Sequence, residues 1–224
     1  HCPNKVHQCS ISLNAQQNFS ISLWFNENIP KTYGFIFSSG TGTTNDISIN
    51  AGNGTLKINV GGTRNVNITS YSSNVWYHVV LTVENTTAKV YLNNSSPTTV
   101  TVGSNTSSSS GNNAKIGDLF VSGYHFNGSI DAVSIFNYVL SASQITTLYG
   151  SSSTGIGNPM SLSPKPVAYY PLGDQDAFNG ASYLTPNASL KDFVFDFIPN
   201  DYIDLGNNVF FNTNNPFSFS TWVN

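Results

Sequence analysis

The sequence predicts an all-β fold, a sandwich of two antiparallel sheets with one short helix, and three observations carry that prediction. The first is composition. Of 224 residues only 8% are charged and 13% are aromatic, and the chain has just two glutamates, Glu27 and Glu84. Exposed helix faces are built from Glu, Lys, Ala and Leu, whereas short strands joined by Gly, Asn, Ser and Pro turns need few charges. The second is period-two alternation in several segments, which puts apolar side chains on one face of a strand. The third is the regular return of turn residues between those segments.

The elements follow in order. Phe19, Ile21, Leu23 and Phe25 fall on one face of a strand, with Ser20, Ser22 and Trp24 on the other. Residues 47–51 and 56–60 flank Asn53-Gly54, a pair that accepts the positive φ of a type I′ turn, so they form a hairpin. Tyr77, Val79, Leu81 and Val83 alternate in the next strand, and residues 88–92 pair with it across the turn at 84–87. Residues 130–136 close the module. A helix is expected over about 141–148, because Ser141 and Gln144 have capping-box spacing and Leu140 with Ile145 form a hydrophobic staple. Gly150 ends it in a left-handed conformation. Residues 150–166 are rich in Ser, Gly and Pro, lack periodicity and read as a linker. Strand patterns resume at 167–172, 193–197 and 202–205.

The chain also repeats itself. Asn18–Asn26 and Pro216–Asn224 share Phe, two Ser, Trp and Asn at matching positions, 198 residues apart. This self-similarity points to tandem copies of one domain. The organisation expected is a first module over 1–149 without its opening strands, the linker at 150–166, and the opening strands of a second module over 167–224. A half-sandwich leaves an apolar face and a bare edge. The tail is therefore expected to pack on the first module or on a neighbouring chain, or to donate strands. The sequence begins at His1 and stops inside a strand pattern, so it reads as a piece of a longer protein.

Charge excludes some partners. Net charge is −3 and the eight basic residues lie singly, so no stripe tracks phosphates and nucleic-acid binding is rejected. No apolar run is long enough to insert in a membrane. Cys2 and Cys9 allow a small local disulfide, which suits an oxidising compartment. Together with His1 and His7 they also supply zinc ligand types, at a spacing that matches no standard site.

The runs Phe19–Phe25, Trp76–Val80, Lys89–Asn93, Lys115–Asp118 and Phe126–Asn137, with the Ser141 helix, resemble in order and spacing a laminin-G-like domain of the concanavalin A-like lectin/glucanase type, over about 11–149. The resemblance implies a jelly roll of two curved antiparallel sheets. The second copy resembles the opening of modules in marine bacteriophage structural proteins. That implies a virion surface or extracellular location, with copies of the chain or neighbouring modules as partners through strand or edge packing.

Function reads as non-enzymatic adhesion or assembly. Glycoside hydrolysis needs two carboxyl groups straddling the bond. Glu27 and Glu84 are far apart in sequence, no Glu-x-Asp pair occurs, and Asp174 and Asp176 sit in a turn-like stretch. There is no Gly-x-Ser-x-Gly elbow, and His78 reads as a packed or rim residue of its strand. Tyr124 and His125 are the candidate glycan contacts, since a flat aromatic face suits sugar C–H groups. The alternative is a loop whose aromatics pack at the domain edge. In related sandwiches an Asp on the closing strand binds a structural calcium. The resemblance therefore implies calcium at Asp131, with Asp174 or Asp176 as oxygen donors. The alternative is an Asp131 that bonds a backbone amide. A secreted carbohydrate-binding lectin and a divergent glycoside hydrolase are the rival readings.

Overall fold

A computed structural model describes residues 18–41, 44–103, 114–119, 123–151 and 155–172. The chain divides into two compact units, His1–Tyr183 and Leu184–Asn224, and every described residue lies in the first. Cys2, Cys9, Asp174, Asp176 and the second repeat segment lie outside the described residues.

Eleven strands form among the described residues. They are β1 (Phe19–Glu27), β2 (Gly34–Thr41), β3 (Thr44–Gly52), β4 (Thr55–Val60), β5 (Thr63–Ser70), β6 (Tyr77–Glu84), β7 (Thr87–Leu92), β8 (Thr98–Thr101), β9 (Ala114–Ile116), β10 (Gly128–Phe136) and β11 (Ala168–Tyr170). They make a six-stranded sheet, β11-β10-β1-β6-β7-β8, and a five-stranded sheet, β5-β4-β3-β2-β9. Every pairing between them is antiparallel. This is the expected all-β sandwich. No helix of the described residues is long and apolar enough to cross a membrane.

The alternation in β1 works as expected. Phe19, Ile21, Leu23 and Phe25 are buried in the core with Val79, Leu81 and Val83 of β6 and Ile47, Ile49, Leu56 and Ile58 of the facing sheet. Each such side chain contributes about 1.5–3 kcal/mol on burial. The Asn53-Gly54 hairpin turns with φ of 51° and 70°, as a type I′ turn requires.

The other face of β1 is not open to solvent: Ser20 and Ser22 are buried too. The reason is α1 (Ala142–Tyr149), which lies over the outer face of the six-stranded sheet. Ile145 and Leu148 of α1 join Val80, Phe136, Leu140 and Leu162 in a second apolar cluster. Ser20 Oγ donates to the Tyr138 carbonyl at 2.8 Å and accepts from the Leu140 amide at 2.9 Å, tying β1 to the chain entering the helix. The capping box forms: the Gln144 amide donates to Ser141 Oγ and the Ser141 amide to Gln144 Oε1. Gly150 ends the helix at φ 71° as expected, but with ψ −148°, a region nearly reserved for glycine. A Cβ there would lie 2.0 Å from the Gly155 carbonyl oxygen.

The stretch expected to be a linker carries structure. Pro159–Ser161 makes a short 3-10 turn capped by Asn158, and Leu162 packs into the second cluster. β11 then pairs with β10, Tyr170 opposite Val133 and Ala168 opposite Ile135, so the strand after this stretch shares the sheet of the strands before it. The two apolar side chains Met160 and Leu162 were hidden in a composition that otherwise signals a spacer.

Candidate functional site

The loops at one end of the sandwich converge through backbone hydrogen bonds. Asn28 N–H donates to the Asn127 carbonyl, Phe35 N–H to Tyr124, Asn53 N–H to Lys31, Tyr71 N–H to Gly54 and Asn74 N–H to Glu27. Peptide groups that bond one another across loops hold these segments at fixed spacings. The side chains they present are aromatic. Tyr124 packs edge-on against Phe35, ring centroids 6.0 Å apart, and against Tyr33 at 6.3 Å. Phe35 is buried, while Tyr33 and Tyr124 each stay 37% exposed. Lys57 Nζ lies 5.3 Å from the Tyr33 ring centroid, within cation–π range. His125 is exposed and bridges Phe35 through the backbone.

Strand register supplies the floor of this face. Asn50 on β3 lies opposite Phe35 on β2 and Lys57 on β4. Its neighbours Ile49 and Ala51 point into the core, so Asn50 points to the outer face of the five-stranded sheet. The sequence brought Tyr124 and His125 forward but missed Tyr33, Phe35, Asn50 and Lys57. Two signals were available: the Tyr33-Gly34-Phe35 pair at the start of β2, and a lone lysine between Leu56 and Ile58.

Behind this face sits Glu27, a fully buried carboxylate. The Tyr71 hydroxyl donates to its Oε2. Burial, and then the hydrogen bond to the Glu27 carboxylate, push the Tyr71 hydroxyl well above its ordinary range, so it remains a donor. The Phe25 ring meets Tyr71, Tyr77 and Phe126 at 5.4, 5.7 and 6.3 Å, an aromatic cluster just under the loop end.

Asp131 lies elsewhere, opposite Trp24 on β10. Its Oδ1 accepts from the Ala132 amide at 2.6 Å, where β10 bulges and Ala132 takes φ 48°. That is the amide-bonding role left open by the sequence. Among the described residues no group of three or more His, Cys, Asp or Glu converges on a metal position, and Asp174 and Asp176, the oxygen donors expected beside Asp131, lie outside them.

His78 is packed, not at the rim. It is 1% exposed, its Nε2 is 2.8 Å from Ser22 Oγ, and its ring stacks on Trp24 at 5.0 Å. Trp24 stacks in turn on Tyr149 of α1 at 5.6 Å. Burial pushes the imidazole down to about 3.

Two antiparallel sheets with loop-borne side chains at one end define a lectin-like sandwich, and the comparisons agree. A family model described as the concanavalin A-like lectin/glucanases superfamily matches residues 5–146, and the chain belongs to that superfamily as a laminin-G-like domain. No sequence match was found among curated proteins. Among solved structures, a Trypanosoma rangeli sialidase is 17% identical over 64% of this chain and 24% of its own length, with a TM-score of 0.51. A heptameric SAP-like pentraxin from Limulus polyphemus is 20% identical over 60% of this chain and 70% of its own, with a TM-score of 0.50. The chain thus spans about a quarter of the sialidase it matches, and at these identities the likeness is one of fold.

Proposed function

We propose that this chain is a non-enzymatic glycan-binding module that attaches a larger assembly to carbohydrate. The observation that carries the reading is the aromatic pair Tyr33 and Tyr124, each more than one-third exposed, packed edge-on against one another, with Tyr124 backed by the buried Phe35 ring. An exposed amphipathic ring fixed by its neighbours gives sugar C–H groups a flat partner at little entropic cost. Membership of a lectin/glucanase superfamily supports it. A binding role without hydrolysis is supported by the burial of Glu27, whose Oε2 accepts from Tyr71 and whose Oε1 is shut away from solvent. Two-carboxylate hydrolysis needs an acid and a base on either side of an accessible bond.

On a glycan array followed by calorimetry, the wild type is expected to bind at least one glycan and to return it uncleaved. Tyr124→Ala should weaken that binding about tenfold, which is about 1.4 kcal/mol, while the protein stays folded with its melting temperature lowered by only a few degrees. Silence of the wild type across the array, turnover of a bound glycan, or full affinity in Tyr124→Ala would each overturn the reading.

The repeat between residues 18–26 and 216–224 favours a setting of serial modules on a virion surface fibre or another extracellular assembly. Antibodies to this module are expected to decorate the outside of intact particles from the source; label only on disrupted particles counts against that setting.

A further inference from the structure

Five side chains of the loop-end face close a ring. Tyr124 touches Phe35 and Tyr33, Phe35 lies opposite Asn50, Asn50 lies opposite Lys57, and Lys57 sits against the Tyr33 ring. Two members of the ring are chemically incomplete. Asn50 is fully buried, yet among the described residues neither its Oδ1 nor its Nδ2 has a hydrogen-bond partner. A buried side-chain amide that makes none of its bonds is unfavourable in a packed protein unless something else supplies them. Lys57 is half-buried and forms no ion pair within the described residues; the ion pair seen there joins Lys115 to Asp118.

We infer that this ring selects an acidic sugar, one with a carboxylate on its ring, which deepens the glycan-binding reading above and rests on it. The assignment follows from what each group lacks. The Lys57 ammonium is a cation with a desolvated stem and no counter-ion among the described residues, so it attracts a carboxylate more strongly than a neutral hydroxyl. The Asn50 amide offers an acceptor and two donors, which a sugar hydroxyl or acetamido group satisfies. Tyr33 and Tyr124 supply the flat apolar walls. Near the ring, Lys31 brackets the Asn53 turn and His125 adjoins Tyr124, while the buried Glu27 carboxylate is engaged by Tyr71. Access to Asn50 requires a side chain to swing aside. Lys57, on four flexible methylenes and pinned by no carboxylate of the described residues, is the one built to do so.

Calorimetry with 3′-sialyllactose against lactose, and with trigalacturonate against its fully methyl-esterified form, tests the inference and separates sialyl from uronate sources. In at least one pair the acid should bind tenfold or more tightly than its neutral counterpart, and 0.5 M salt should shrink the difference. Lys57→Met should erase the difference, bringing the acid's affinity down to that of its neutral counterpart. Asn50→Leu should weaken both members of the pair about tenfold without lowering the melting temperature, because the exchange also removes an unsatisfied amide from the interior. Equal affinity within both pairs, or array binding confined to neutral glycans, overturns the acidic preference and leaves the aromatic platform standing. Full affinity in Asn50→Leu removes Asn50 from the site. A wild type that binds no glycan at all takes down the platform and this inference together.

Discussion

Phe25→Ala is expected to lower the free energy of unfolding by about 3–5 kcal/mol, the usual cost of removing a fully enclosed phenylalanine. Phe25 is completely buried, and its ring contacts Tyr71, Tyr77 and Phe126. No single neighbour can collapse into the space, because each is anchored on a different segment. Against a total stability of about 5–15 kcal/mol for a domain, this is a large share. The effect should also reach the loop-end face proposed to bind glycan. Phe126 directly follows Tyr124 and His125, and Tyr71 holds the Glu27 carboxylate. The variant should therefore bind glycan more weakly even where it remains folded. Urea denaturation at neutral pH measures the first effect, with Phe25→Leu as the milder comparison. A loss below about 1 kcal/mol would show that the aromatic cluster lies outside the cooperative core.

The second large effect is acid destabilisation through His78. In the folded protein burial pushes this imidazole from 6.5 down to about 3. Above pH 6.5 it is neutral in both states and contributes no pH dependence. As pH falls below 6.5 the unfolded chain takes up a proton that the folded protein refuses, so stability declines through that window until about pH 3. At about 1.4 kcal/mol per pH unit the decline amounts to roughly 5 kcal/mol. The geometry explains the refusal. Nδ1 is buried without a partner, Nε2 faces Ser22 Oγ, and the ring is stacked on Trp24. His78→Gln has no proton to gain, so its unfolding free energy should fall less between pH 7.5 and pH 4 than the wild type's. Parallel pH profiles for the two proteins would show that the acid sensitivity arises elsewhere. Because Trp24 also stacks on Tyr149, protonation should loosen α1 first, which Trp fluorescence can follow.

The residues that sequence reasoning placed well share one property: their structure is decided within a few neighbours. The Asn53-Gly54 turn, the Ser141–Gln144 capping box and the alternation of β1 are all of this kind. β2 escaped notice because a bulge between Phe35 and Phe37 breaks its alternation and leaves Ile36 and Phe37 both in the core. β5 escaped notice because it is an edge strand whose Arg64, Asn65 and Asn67 face outward or stay half-exposed. Asp131 was legible as an acidic residue on the closing strand, but its amide bond depends on the bulge at Ala132.

The sequence by itself determined the all-β class, the hairpin, the capped helix and the scarcity of paired acids, because composition, turn chemistry and strand period act over short range. Only the tertiary structure decided that α1 buries the second face of β1, and that Tyr33, Phe35, Asn50, Lys57 and Tyr124 neighbour one another on one face. Those residues meet through antiparallel register and loop-to-loop hydrogen bonds between distant segments. A register is selected by the burial of a whole sheet face, a collective quantity that no local window of sequence contains.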